Sequence, residues 1–251
     1  MTKWVLKGLR TGIVTTTYPD RAEEAPGVSP GLPFAGQSSI DVERCPTRAF
    51  IRDGQRFAVD TRRCVHCLRC APGEGGSTEW QDGYEWAARL TDPSHEDPAL
   101  GGVFQTSLHI RVVDAGACGA CLSEIKQLNK PYYNMHRLGF FLTPTPREAD
   151  VLLVAGPVTD HMRLTLKKVY EAMPTPKKVV AVGACALSGG VFGPSFISGG
   201  GASDIIPVDV AVPGCPPPPL ALIHGLLVMV ARKPSASWPA TAPAPGGKED
   251  V

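Results

Sequence analysis

Residues 151–185 read VLLVAGPVTDHMRLTLKKVYEAMPTPKKVVAVGAC, and this stretch decides the fold. Val151–Ala155 is a nearly continuous apolar run, the pattern of a strand buried on both faces. His161–Ala172 then spaces Met162, Leu166, Val169 and Tyr170 on one face at a period of 3.6, which predicts an amphipathic helix. Val179–Val182 is apolar again. Strand, helix and strand in succession predict a parallel pair with a crossover helix. Working outward, Leu108–Asp114 and Ile205–Val212 predict further strands, Cys121–Leu128 a helix, and Pro217–Val230 a segment ending in a helix. The predicted class is α/β, with a flavodoxin-like parallel sheet. Asp114, Gly156, Gly183 and Gly214 fall just past strand ends, where such sheets collect their ligands.

Three of those strand ends carry cysteines. GACGACLSE, VGACALSGG and PGCPPPP place Cys118, Cys121, Cys185 and Cys215 where four thiolates can converge on one soft metal centre. Iron–sulfur clusters are usually held by four cysteines, and the glycines let backbone N–H groups approach sulfide. Zinc, or plain burial of small apolar thiols, is the competing reading. Zinc sites usually offer two close pairs, whereas Cys185 and Cys215 are single.

A second group lies upstream in RCPTRAF and RRCVHCLRCAP. Cys64, Cys67 and Cys70 form C-x2-C-x2-C, and Cys45-Pro46 precedes them. This resembles a bacterial-type ferredoxin that has lost one cluster: a triplet supplies three ligands and a distant Cys-Pro the fourth. Ala71-Pro72 follows Cys70 directly, without the usual x3-Cys-Pro, so a metal-free remnant is the alternative. A ferredoxin-like α+β module holding one 4Fe–4S cluster is expected over residues 37–73, after an arm and linker at 1–36. Residues 74–106 read as a connector whose Trp80, Tyr84 and Trp86 pack on a neighbouring surface. The main domain spans 107–233, and 234–251 is Ala/Pro/Ser-rich and reads as a disordered tail.

The chain has 251 residues, eight cysteines and a net charge of +1 with 20% charged residues, so no field argues for nucleic acid. Its first residues, MTKWVLKGLRTGIVTTTYP, lack an apolar signal core and a twin-arginine motif. Its longest apolar run, Leu220 to Ala231, is too short to span a bilayer. A reducing cytoplasm is expected, where grouped cysteines bind metal rather than pair.

From Ser107 to about Arg232 the chain resembles the small-subunit family shared by NiFe hydrogenases and respiratory complex I. The resemblance rests on SLHIRVVDAGACGAC, TPREADVLLVAGPVT, VVAVGACALSGGVF and DIIPVDVAVPGCPPPP, in that order. Complex I members carry adjacent cysteines at the first pair. Cys118-Gly119-Ala120-Cys121 followed by Glu124 is similar instead to the membrane-associated, formate hydrogenlyase-like hydrogenases. GACGAC where that group more often reads GSCNGC bears on cluster potential. The opening LKGLRTGIVTTTYP is similar to the N-terminal arm of the complex I ferredoxin subunit.

The resemblance implies an electron-transfer subunit with two 4Fe–4S clusters, peripheral on the cytoplasmic face of the membrane. Its partners would be a NiFe large subunit carrying the catalytic metal, an iron–sulfur protein or dehydrogenase as electron donor or acceptor, and membrane subunits. Glu124 would face the large subunit and help pass protons, against a reading as a first-turn helix acid. Arg147 would face it too, against a salt bridge with Asp150. Two other functions compete: a small subunit of a complex I-like quinone-reducing complex without NiFe, and a scaffold whose clusters only hold shape.

His66, between two ligands, is expected to support the cluster without ligating it, and His136 and His161 to be surface residues. SGGVFGPSFISGGGAS lacks the GK[ST] of a phosphate loop and reads as a loop that shields the cluster and touches the large subunit.

Overall fold

The computed structural model describes residues 3–23, 29–33, 42–53, 56–71, 78–90 and 107–237. Parts of the expected linker (24–28, 34–36), the start of the ferredoxin-like module (37–41), the end of the connector (91–106) and most of the tail (238–251) lie outside the described residues.

The centre is a six-stranded sheet. Its strands are β5 (Ala88–Arg89), β6 (Leu108–Asp114), β7 (Phe140–Leu142), β8 (Val151–Ala155), β9 (Lys178–Val182) and β10 (Val210–Val212). They lie in the order β5-β10-β9-β8-β6-β7. From β6 to β10 all pairings are parallel, and β5 caps the edge antiparallel, Val210 facing Arg89. Counting only the parallel strands in chain order gives 2-1-3-4-5, the flavodoxin-like order, with its switch point between β6 and β8. The predicted fold class is what the structure shows.

Alternation across the pleat separates two cores. Val151, Leu153 and Ala155 of β8 join Ile110, Val180 and Val182 under α2 (Ala120–Gln127) and α5 (Pro219–Met229). Leu152 and Val154 turn the other way, toward Val179, Ala181 and Leu166 of α3 (Asp160–Ala172). Every residue of α5 is buried, as a helix apolar on all sides must be. The short α4 (Gly183–Ser188) follows β9 directly.

Four expectations need correction. Ile205–Val212 is not one strand. Ile205 and Ile206 donate their amides back to Ala202 in a turn, Pro207 has no amide to give, and only Val210–Val212 joins the ladder. The first residues of the expected disordered tail are pinned along β5: Ala236 N donates to Ala87 O at 2.9 Å, and Ser235 Oγ accepts from Arg89 N at 3.0 Å. The connector aromatics find their surface within the chain. Tyr84 meets Tyr18 edge-on at 5.1 Å between ring centroids, and Trp86 Nε1 donates to Pro213 O at 2.9 Å. Arg147 and Asp150 stand at the amino end of β8, about 16 Å of strand away from the cysteine loops. Asp150 Oδ2 accepts from His109 N at 2.7 Å, and among the described residues Arg147 forms no ion pair with it. Neither the salt bridge nor a place beside the cysteines holds for Arg147.

Upstream, α1 (Lys3–Thr11) buries nothing. β1 (Leu32–Pro33) pairs antiparallel with β4 (Trp80–Gln81), and β2 (Phe50–Asp53) with β3 (Arg56–Val59) as a hairpin. Phe50 and Val59 form a small core against Cys45 and Cys70. The hairpin therefore serves to seat the upstream cysteines.

Candidate metal centres

The main set stands at the carboxyl edge of the sheet. Cys118 and Cys121 come from the turn after β6 and the start of α2, Cys185 from α4 after β9, and Cys215 from the turn after β10. Asp114 Oδ1 shapes the first loop by accepting from the amides of Gly116 and Ala117 at 3.0 and 2.7 Å. Cys121 is buried, Cys185 and Cys215 half-buried, and Cys118 exposed. Burial and the neighbouring thiols push the Cys121 thiol up to about 12 and that of Cys185 up to about 11, and raise that of Cys215. The four lie near enough to raise one another: Cys185, Cys215 and Cys118 act on Cys121; Cys215 and Cys118 act on Cys185; and Cys118 acts on Cys215.

Two glycines form a cradle here. A Cβ on Gly183, at φ +84°, would stand 2.6 Å from Cys121 Sγ, and one on Gly190, at φ +60°, 2.8 Å from Cys185 Sγ. Both positions combine left-handed backbone with direct contact on a thiol, which only glycine permits. Gly190 opens the Gly-rich loop, so this loop does cover Cys185. Beyond it Val191, Phe192, Phe196 and Ile197 are exposed, Phe196 by 89%.

The upstream set gathers likewise. Cys45, Cys64, Cys67 and Cys70 line one cavity of about 300 Å³, open solvent included, walled by Phe50, Val59, Leu68 and Trp80. Burial lifts the Cys64 thiol to about 12 and raises that of Cys70, with Cys45 and Cys67 adding to both. The triplet winds through left-handed backbone at His66 (φ +51°) and Leu68 (φ +61°). The Trp80 indole N–H has no hydrogen bond of good geometry, yet stands near enough to Cys70 to favour its thiolate.

The expected ligands thus meet as two sets of four. Among the described residues no three His, Cys, Asp or Glu side chains form the close array of a single bound ion. The residues fit an iron–sulfur cluster in each place. Every set is all-thiol, and crowded thiols with raised pKa values are what a positive centre reverses by holding them as thiolates. The main set adds a cradle that any side chain would fill.

Glu124 is half-buried on α2, three residues beyond Cys121. The helix begins at Ala120 after Gly119, so Glu124 lies past the first turn and cannot cap it. Burial raises its carboxyl above the usual range, and the nearby Tyr133 hydroxyl is raised partly by that carboxyl. His136 and His161 are exposed, as expected. His66 does more than the sequence foretold. Its ring stands edge-on to both Trp80 and Trp86, at 6.1 and 5.9 Å, with both nitrogens buried and unpartnered. Burial lowers its pKa to about 4. No spacing rule signals that contact, because Trp80 and Trp86 reach it through the fold. Among the described residues no helix is long and apolar enough to cross a membrane.

Comparison with known proteins follows the same line. Residues 118–229 match the family described as NADH ubiquinone oxidoreductase, 20 kDa subunit. The chain is 49% identical over 121 residues to an uncharacterized protein of Methanocaldococcus jannaschii, covering 48% of this chain and 81% of that one. It is 45% identical over 120 residues to a "probable membrane-bound hydrogenase subunit" of Pyrococcus furiosus, covering 48% and 72%. To an NADH-quinone oxidoreductase subunit of Clostridium beijerinckii it is 46% identical over 110 residues, covering 43% and 65%. The family match begins at Cys118, so Cys45, Cys64, Cys67 and Cys70 lie outside it. With its fold, its thiol edge and these relatives, the chain belongs to the family of complex I 20 kDa subunits and NiFe hydrogenase small subunits, components of oxidoreductase complexes.

Proposed function

We propose that the chain is the electron-transfer subunit of a membrane-associated, formate hydrogenlyase-like NiFe hydrogenase. It holds one 4Fe–4S cluster on Cys45, Cys64, Cys67 and Cys70, and another on Cys118, Cys121, Cys185 and Cys215. The observation that carries this reading is the gathering of all eight cysteines into two all-thiol sets, one at the carboxyl edge of the sheet. When bound, each cluster supplies one-electron transfer and no bond chemistry on hydrogen. The catalytic metal, with open coordination, belongs to a NiFe large subunit. That partner docks over the exposed Val191, Phe192, Phe196 and Ile197 beside Cys185. Glu124, its carboxyl raised by burial, holds a proton at neutral pH more readily than a solvated glutamate and faces the same partner. The upstream set meets the donor or acceptor, an iron–sulfur protein or dehydrogenase, and membrane subunits anchor the assembly on the cytoplasmic face.

The test uses the purified complex. Cys185→Ala abolishes hydrogen turnover, whereas Cys64→Ala spares H₂/D₂ exchange and blocks electron exchange with external donors. Full turnover in the first variant, or loss of both activities in the second, overturns the assignment. A complex I-like, quinone-reducing small subunit is the second reading, favoured by the 46% identity to the Clostridium beijerinckii NADH-quinone oxidoreductase subunit. An intact complex that reduces quinone and shows no H₂/D₂ exchange would establish it instead.

A further inference from the structure

Two short links join the cysteine sets. Ser188, three residues past Cys185 at the end of α4, shares its one hydroxyl proton between Arg62 O, two residues before Cys64, and Ala184 O of its own helix, each at 3.0 Å. On the other side Trp86 Nε1 donates to Pro213 O at 2.9 Å, two residues before Cys215. The Trp86 ring meets His66, between Cys64 and Cys67, at 5.9 Å and 85°, and Trp80 meets the same imidazole at 6.1 Å and 80°.

His66 therefore packs edge-on against two indoles. It makes no hydrogen bond through either ring nitrogen, so its contribution is shape rather than polar pairing. Each link starts within three residues of a cysteine of one set and ends within two of a cysteine of the other. Little chain is left between them to flex.

We propose that His66, Trp86 and Ser188 are positioning residues that lock the upstream cysteine set at one fixed, short separation from the main set. This rests on the two-cluster reading above. It adds that electrons cross within this polypeptide at a distance these residues set. One electron moves per event: the set it leaves is oxidised by one, the set it reaches is reduced by one. No bond is made or broken and no proton moves. His66 and Ser188 lie outside both main cores, whereas Trp86 belongs to the core under α2 and α5, so its replacement must keep an aromatic body there for the sheet to stay intact.

The experiment is electron paramagnetic resonance on the full chain, purified anaerobically and reduced with dithionite, with iron measured on the same sample. The wild type is expected to hold about eight irons and to show two reduced signals split by their mutual magnetic interaction. Trp86→Phe with Ser188→Ala is expected to keep the iron and both signals. It should lose the splitting, with transfer between the centres after flash reduction slowed at least tenfold. Should the double variant lose iron, Trp86→Phe alone keeps one six-membered aromatic ring while removing the five-membered ring and its N–H, and a smaller loss of splitting is expected of it.

Unchanged splitting in an iron-replete variant overturns the positioning role. Two non-interacting signals in the wild type overturn the short separation and leave the two-cluster reading standing. About four irons and one signal bring down that reading, and this inference with it.

Discussion

Gly183 shows what one absent methyl group does at the main site. Its φ of +84° lies in the left-handed region, and a Cβ there would press on Cys121 Sγ at 2.6 Å. Gly183→Ala is expected to cost about 1–3 kcal/mol of stability from backbone strain. It should also lower the iron bound by the main set. Gly193 is the control, since its φ is +60° with nothing within 4 Å of an added Cβ. Gly193→Ala should carry the strain and keep its iron; thermal unfolding and iron content on both variants separate the effects. The thiols give a second expectation at this scale. In the metal-free chain the neutral forms of Cys64 and Cys121 are favoured, with pKa values near 12. Their alkylation should keep rising, about tenfold per pH unit, past the usual thiol value of 9 and toward 12. Mass spectrometry of the labelled peptides checks this, and a plateau for these two near pH 9 would contradict the burial. The expected ligand cysteines were legible from their spacing in the two close groups and, for the single Cys185 and Cys215, from the glycines and prolines around them. The packing of His66 was not, because Trp80 and Trp86, from a later segment, make it. Glu124 falls between: its identity was legible, while its place past the first turn depended on a helix start that GACGAC does not mark.

Between residue and molecule, β8 and α3 carry the fold's strongest pattern, and the structure reproduces both almost to the residue. Continuous apolar residues can only be satisfied by cover on both faces, so the run at 151–155 left no alternative. Shorter elements escaped. β7 has three residues and β5 two, too few for a period to show, and β5 depends on pairing with β10. α4 has six residues rich in Gly and Ala, which read as loop. Ile205–Val212 misled because its apolar residues are buried without belonging to one strand: Ile206 and Val208 pack against the α3 side through a turn. Asp209 then secures the register, accepting from Val179 N at 2.8 Å and from Lys178 Nζ at 2.9 Å. The α3 side also yields a stability expectation. Leu166 is the buried residue of α3, fully covered between the sheet and the helix. Leu166→Ala should therefore cost about 2–5 kcal/mol in denaturant unfolding. Leu166 carries no ligand, and the iron content of the folded fraction should stay at the wild-type value. Loss of iron in proportion to lost stability would instead mean that sheet and clusters form one cooperative unit.

For the whole molecule, the decisive asymmetry is between its two cysteine edges. Cys185 sits under a rim of exposed apolar side chains, with Phe192 at 62% and Phe196 at 89%. Folding alone does not require such exposure, since these residues contribute nothing to either core. Scattered exposed apolar residues are ordinary on a protein surface, but four in one loop beside a thiol set form a patch suited to burial by a partner. On the proposed reading that partner is the large subunit, and apolar contact at the centre of an interface carries much of its affinity. Phe196→Asp places a charge where that contact would close. The isolated chain should be indifferent to it, with unfolding changed by less than about 0.5 kcal/mol and iron content unchanged, because the side chain is already in water. Association with the large subunit should weaken at least tenfold, about 1.4 kcal/mol, when measured by co-purification against the wild type at matched concentration. His161→Asp, an exposed position on α3, is the control for added charge alone. Equal recovery of large subunit by all three chains would move the interface away from this rim. The carboxyl edge would then need another reason for its exposed phenylalanines.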